Sequence, residues 1–329
     1  ECGALELARQ LRAREITSLE LTNIHISRIE QVNPKLNALA VDRFESARAE
    51  ARLADERLAS ENPEDLPVLF GVPCTIKEFL ACEAMPQTGG LLSRKDFVSS
   101  VDGTIAKRLK EAGAIILGSS NVPEGGLWME TYNLIYGRSN NPWNPKHTPG
   151  GSSGGEGALI AAGASPFGIG SDVGGSVRIP AAFCGIVGHK PSGRLVPNTG
   201  HYPPASGDAR PYLVTGPMGR RVADVRAVLE VIAGPDGYDD ICEEMPWKAT
   251  GDLSIDEIVV FPIPTPGRPK IKAEMQNAVQ MAADALEKRG ARIERREFPD
   301  LRRGFEIWAA MLSAASDDHY DTVLGDGTP

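Results

Sequence analysis

Apolar residues recur near the helical repeat from the beginning of the chain, and residues 3–33 read as a helix pair. TSLE at 17–20 has the form of a capping box. Thr17 or Ser18 is placed to cap and Glu20 to reach back, ahead of Leu21, Ile24 and Ile29. RFESARAEARLADERLAS, 43–60, is alanine-rich and charged with an apolar stripe, which predicts another helix. The period then changes: LPVLFGVPCTIKEF is a β-like run broken by Gly71 and Pro73. Next comes a unit with a helix at 103–112, Gly113 as its stop and a buried strand at 114–118. Helix and strand alternate again at 157–171, at 222–233 with 257–262, and at 271–289 with 291–295. Such alternation predicts an α/β fold in α/β/α layers around a mixed, largely parallel central sheet. The stretch 234–252, rich in Gly, Pro and Asp, reads as a long surface excursion and not a domain break.

Size and charge narrow the possible roles. At 329 residues the chain exceeds the usual single core, so one large domain or two smaller ones are open. The expected organisation is one domain over 1–329, with N-terminal helices over about 3–60, a catalytic core over about 66–233 and a remainder over about 253–329. A net charge of −9 argues against nucleic acid or anionic lipid as the main partner and favours a small or neutral substrate. The five cysteines show no C-x-x-C spacing, which favours a reducing, intracellular setting. No apolar run reaches the roughly 18 residues of a spanning helix, and no signal peptide is seen. Helical pattern begins at Glu1, and the chain stops at GDGTP after a helix, so it reads as a fragment truncated at both ends.

Two glycine-rich stretches hold the candidate chemistry, HTPGGSSGGEGALI at 147–160 and SDVGGSVRIP at 171–180. A phosphate-binding loop fails on its own terms. No Lys follows the glycines of 150–157, and GIGSDVGG at 168–175 lacks the third glycine of a dinucleotide fingerprint. The other use of such loops is to aim backbone N–H groups at a developing oxyanion beside a serine nucleophile. Gly174 and Gly175 suit that task, with the amides of Val173, Gly174, Gly175 and Ser176 as donors and Ser176 as nucleophile. A serine needs a base. His147 and His189 lie nearest in sequence, but neither sits in a triad-like setting, and G-x-S-x-G is absent at Ser176. A Ser-His-Asp hydrolase is therefore disfavoured, and no metal or other cofactor is expected.

The run GGSSGGEGALIAAGASPFGIGSDVGGSVRIPAAFCGIVGHKPS, 150–192, resembles the amidase signature family, and TIKE at 75–78 resembles its catalytic-lysine segment. Glu156 within the Gly-Ser block, YGRSNNPWNP at 136–145 and the FCGIVGHKPS tail are similar to fatty-acid amide hydrolases, especially those of type 2. The resemblance implies the amidase signature fold and a Ser–Ser–Lys triad of Ser176, Ser152 and Lys77. The family's 24-residue spacing selects Ser152 over Ser153. It also implies a cis peptide at the bridging serine, an uncommon bond outside proline that calls for flanking glycines and a rigid surround.

In the implied reaction, Lys77 acts as base only if burial depresses its pKa from a reference near ~10.4. Ser152 relays a proton from Ser176 to Lys77, Ser176 attacks an amide carbonyl, the amine leaves protonated, and water hydrolyses the acyl-enzyme. Asp172 and Arg178 are expected to hold the nucleophile loop, with Ser153 in a supporting hydrogen bond or cap and Cys184 in the core. Gly126 falls where fatty-acid amide hydrolases contact the acyl chain, but it offers none of the bulky apolar surface found there. The implied substrate is a lipid-like amide. Membrane association through segments outside this chain and a homodimer are left open. So are a general acylamidase, the A chain of a glutaminase-type amidotransferase, and an inactive binding protein on the same fold.

Overall fold

The computed structural model describes residues 2–244, 254–265 and 271–315. These gather into two compact units, one within 2–244 and one within 254–315, where the sequence reading treats 1–329 as one domain. The boundary after Glu244 falls inside 234–252, the stretch read as a surface excursion. Its residues 245–252, like the GDGTP end, lie outside the described set.

In the first unit the elements run α1 (Ala4–Arg12), α2 (Ser18–Leu36), β1 (Leu39–Asp42), α3 (Phe44–Ser60), β2 (Pro73–Lys77), α4 (Thr104–Glu111) and β3 (Ile115–Ser120). The short pair β4 (Tyr132–Asn133) and β5 (Gly137–Arg138) precedes α5 (Gly154–Ala161) and β6 (Phe167–Asp172). Then come α6 (Arg178–Cys184), β7 (Val187–Gly188), β8 (Val214–Gly219) and α7 (Val222–Ile232). The second unit holds β9 (Val259–Val260), α8 (Ala273–Glu287), β10 (Arg292–Ile293) and α9 (Gly304–Ala315), with β9 and β10 parallel. The capping box is present, with Thr17 as the cap and Glu20 reaching back to its N–H at 2.9 Å.

Six strands form the central sheet in the order β1-β3-β2-β6-β8-β7. It is mixed, as expected, but the parallel share is smaller than "largely parallel" implies. Only β3-β2 and β2-β6 are parallel, and the flanking pairs β1-β3, β6-β8 and β8-β7 are antiparallel. Strand alternation sends Ile116 to one face and Ile115 and Leu117 to the other. On the first face Cys74, Ile76 and Ile169 meet Leu7 and Leu11 of α1, Ile105 and Leu109 of α4, and Val228 and Ile232 of α7. On the second lie Ile26 and Ile29 of α2, Ala47 and Ala51 of α3, and Ala158 and Leu159 of α5. Helices thus cover both faces, the layered arrangement that the alternation predicts.

This topology places the site. From β2 the chain crosses through α4 to β3 on one side, and later through α5 to β6 on the other, so β2 and β6 flank a switch point. Open α/β sheets bind ligands outside the carboxyl ends of strands at such points. Lys77 is the last residue of β2 and Asp172 the last of β6. The α5 start is close-packed against this end: a Cβ on Gly155 would stand 2.5 Å from the Asn121 nitrogen and 2.6 Å from the Ala38 oxygen. Only glycine lets the helix approach so near.

Candidate active site

Lys77 is wholly buried, a rare state for a lysine. Its Nζ lies 2.7 Å from Ser152 Oγ, 3.0 Å from Ser171 Oγ and 3.2 Å from the Ser171 carbonyl oxygen. It also sits 4.6 Å from the centre of the Phe79 ring. Burial pushes its pKa down to about 7, against the opposing pull of the Asp172 and Glu156 carboxylates. A lysine held near neutrality beside a serine hydroxyl is equipped to accept a proton, which an exposed lysine is not.

Ser152 is buried at the head of α5, and the Gly151–Ser152 peptide is cis. Ser153 takes the N-cap position of α5, but its hydroxyl makes no cap bond. Its Oγ lies 3.3 Å from both the nitrogen and the carbonyl oxygen of Ser171, and its N–H donates to the Ser176 carbonyl at 3.1 Å. Ser176 is half-buried on the loop between β6 and α6, and among the described residues its hydroxyl makes no hydrogen bond. The fold therefore joins Lys77 and Ser152 directly, while Ser176 is tied through its backbone carbonyl to Ser153, the next residue along.

Asp172 and Arg178 hold this loop. The wholly buried Asp172 carboxylate accepts from the N–H groups of Gly175 at 2.7 Å, Val177 at 3.0 Å and Arg178 at 3.3 Å. Arg178 adds two side-chain donors at 3.0 and 2.9 Å. Burial raises the pKa of Asp172, but Arg178 and the amides of Val177 and Gly175 outweigh it, and the net direction is down. One expectation is corrected here. The Gly175 N–H is committed to Asp172, so the amides left without a partner among the described residues are those of Val173, Gly174 and Ser176.

Gly126 borders the same site. Its φ is +77°, and a Cβ there would stand 2.9 Å from Phe79 Cε2 and 3.8 Å from Ser152 Oγ. The position contacts the lysine's aromatic neighbour, and a bulky apolar side chain does not fit. Cys184 is a buried core residue, as expected.

Three further residues stand in places that the sequence reading does not assign. Glu156, wholly buried on α5, accepts from Thr75 Oγ1 at 2.7 Å, and burial raises its pKa to about 8. Ser171 contacts Lys77, and His201 lies 2.9 Å from Ser171 Oγ through Nε2. The reading weighed only His147 and His189, nearest in sequence, whereas the fold brings in His201 from the loop before β8. The signal for Ser171 was its place beside Asp172 in a motif already singled out.

The Amidase family profile matches residues 20–326. Fatty-acid amide hydrolase 2-A of Danio rerio is 40% identical over 96% of this chain and 60% of its own length. The A chain of the glutamyl-tRNA(Gln) amidotransferase of Roseiflexus castenholzii is 38% identical over 87% of this chain and 58% of its own length. A solved 6-aminohexanoate cyclic dimer hydrolase superposes with a TM-score of 0.83 at 29% identity, covering 98% of this chain and 67% of that one. The chain thus spans about 60% of the length of such curated relatives. With a profile match over nearly its whole length, and a fold shared with solved hydrolases of that type, the chain belongs to the amidase family.

Proposed function

We propose that this chain carries the catalytic centre of a serine hydrolase that cleaves carboxylic amides, with Ser176 as nucleophile, Ser152 as relay and Lys77 as base. The observation that carries the reading is a fully buried lysine, its pKa near 7, with Nζ 2.7 Å from a buried serine hydroxyl. Neutral Lys77 takes the Ser152 proton as Ser152 takes that of Ser176, and Ser176 Oγ forms a bond to the carbonyl carbon. The amides of Val173, Gly174 and Ser176 point donors at the oxyanion. As the C–N bond breaks, the proton returns through Ser152 to the nitrogen, and water then splits the acyl ester. Hydrogen bonds of this kind commonly tighten only in the substrate complex, and the Asp172 clamp fixes the loop that carries Ser176.

A fatty acyl group is the favoured substrate half. Leu127, Trp128 and Met129 are exposed on the segment that backs onto Gly151 and so lies next to Ser152. Fatty-acid amide hydrolase 2-A shares 40% identity with this chain. The alternative is release of ammonia from glutamine, which the amidotransferase relative supports. Labelling with an alkyl fluorophosphonate tests the mechanism. Ser176→Ala is expected to abolish it, and labelling retained at another serine refutes the assignment. Turnover of acyl amides of increasing chain length, set against glutamine, separates the two substrates.

A further inference from the structure

A neutral amine has two N–H donors and one lone pair, and only the lone pair can take a proton from Ser152. Lys77 has three polar neighbours, so catalysis requires that the lone pair meet the right one. The surrounding hydrogen bonds settle which. His201 Nδ1 lies 2.8 Å from the Pro203 carbonyl oxygen, which can only accept, so Nδ1 carries the ring proton. In the neutral ring Nε2 is then an acceptor. Its partner at 2.9 Å is the Ser171 hydroxyl, which must donate to it. With its proton so committed, Ser171 Oγ faces Lys77 Nζ at 3.0 Å as an acceptor, and the Ser171 carbonyl, 3.2 Å away, is an acceptor too. Both N–H groups of neutral Lys77 are thereby used on Ser171.

We infer that His201 and Ser171 are a positioning pair that aims the lone pair of Lys77 at Ser152. The inference rests on the proposed triad, but its first step concerns only the state of His201. The ring is held for this task, meeting Phe79 edge-on at 5.6 Å between centroids, and Phe79 also flanks Lys77. Burial and the nearby Lys77 charge push the His201 pKa down to about 3, which keeps the ring neutral through the working range. Without the acceptor at Nε2, the Ser171 hydroxyl turns and donates to the Lys77 lone pair, in competition with Ser152.

Nitrogen-15 NMR of the histidine-labelled chain tests the first step without any substrate. His201, assigned by the signal lost in His201→Gln, is expected to be neutral with its proton on Nδ1 from pH 5 to 9. A proton on Nε2, or an imidazolium in that range, overturns the inference whatever the chain hydrolyses. Kinetics on the amide turned over by the parent test the second step. His201→Phe keeps the ring and its contact with Phe79 but removes the acceptor. It is expected to lower kcat roughly tenfold, the equivalent of one misdirected hydrogen bond, with KM unchanged. His201→Gln, which restores an acceptor, recovers most of the rate.

Ser171→Ala removes the competing donor altogether and is expected to cost less than His201→Phe. In the Ser171→Ala background, His201→Phe then costs nothing further. A merely structural histidine predicts the reverse, an equal loss in both backgrounds. A Ser171→Ala loss larger than that of His201→Phe overturns the inference by itself, and does so even if His201→Phe does not fold.

Discussion

Keeping a lysine uncharged inside a protein has a thermodynamic signature that is independent of any substrate. Lys77 is wholly buried, and that burial takes its pKa from 10.5 to about 7. At ~1.4 kcal/mol per pH unit, the span between about 7 and 10.5 makes folding around this lysine cost on the order of 4–5 kcal/mol at low pH. The sign follows from proton counts. Below pH 7 both states hold the proton and the folded state bears the full cost. Between 7 and 10.5 the unfolded chain holds a proton that the folded chain has released, so stability rises with pH. Above 10.5 the cost is gone. Lys77→Met keeps the stem and removes the charge, and it leaves the partners of Nζ unpaired at about 1–3 kcal/mol, independent of pH. The variant is therefore expected to be inactive on amides yet more stable than the parent by roughly 2 kcal/mol at pH 6. It loses that lead by pH 10.5. Urea unfolding of both chains across this range measures the difference, which should change by on the order of 4–5 kcal/mol. A parent–variant difference that stays flat from pH 6 to 10.5 refutes the premise that burial neutralises Lys77.

The rate of fluorophosphonate labelling at Ser176 should rise with pH through a midpoint near 7, because only unprotonated Lys77 accepts the proton; a flat profile between pH 5 and 9 contradicts the assignment of the base. Asp172→Asn leaves Arg178 and the loop amides without their charged acceptor. It should lower stability by about 1–3 kcal/mol, the scale for losing the charged acceptor of buried amides when the arginine partner is itself 53% exposed, and slow labelling at least tenfold. Gly126→Ala places a side chain at φ +77°, with its Cβ 2.9 Å from Phe79. It should lower stability by about 1–3 kcal/mol and reduce kcat as Phe79 moves off Lys77; an unchanged kcat would show that Phe79 gives way without consequence.

The helices were legible because each buries a stripe at the 3.6-residue repeat. The predicted spans 43–60, 103–112 and 222–233 correspond to α3 (Phe44–Ser60), α4 (Thr104–Glu111) and α7 (Val222–Ile232). Among the strands longer than two residues, two were not legible. LAVD of β1 is four residues long, too short to establish a period. VTGPMG of β8 contains two glycines and a proline, the residues that ordinarily argue against a strand. Both pair antiparallel at the flanks, which is why the sheet reads as more parallel than it is. In β6 the glycines that look like loop residues serve packing instead. A Cβ on Gly168 would stand 1.9 Å from Glu156 Oε2, and one on Gly170 would stand 2.7 Å from Ser153 Oγ. The strand gives up side chains so that polar groups of α5 can reach the sheet.

The candidate site divides along the same physical line. Ser152, Ser176, Asp172 and Arg178 lie in or beside short glycine-rich motifs that draw the eye to the right stretch, whereas Lys77, and the choice of Ser152 as its partner, were readable only through the family resemblance. His201 has no such motif. It comes from a loop 30 residues beyond Ser171, and its relation to that serine exists only because β8 returns antiparallel beside β6 and leaves the loop before it over the strand ends. No periodicity encodes a contact made by two segments meeting at a switch point. What can be read in advance is a chemical requirement: a lysine that must be neutral and must present its lone pair to one serine needs acceptors for its two N–H groups. A hydroxyl meets that need only when a third group takes its own proton. The proposed triad would thus rest on a second layer, Ser171 and His201, and that layer is where a one-dimensional reading has no purchase.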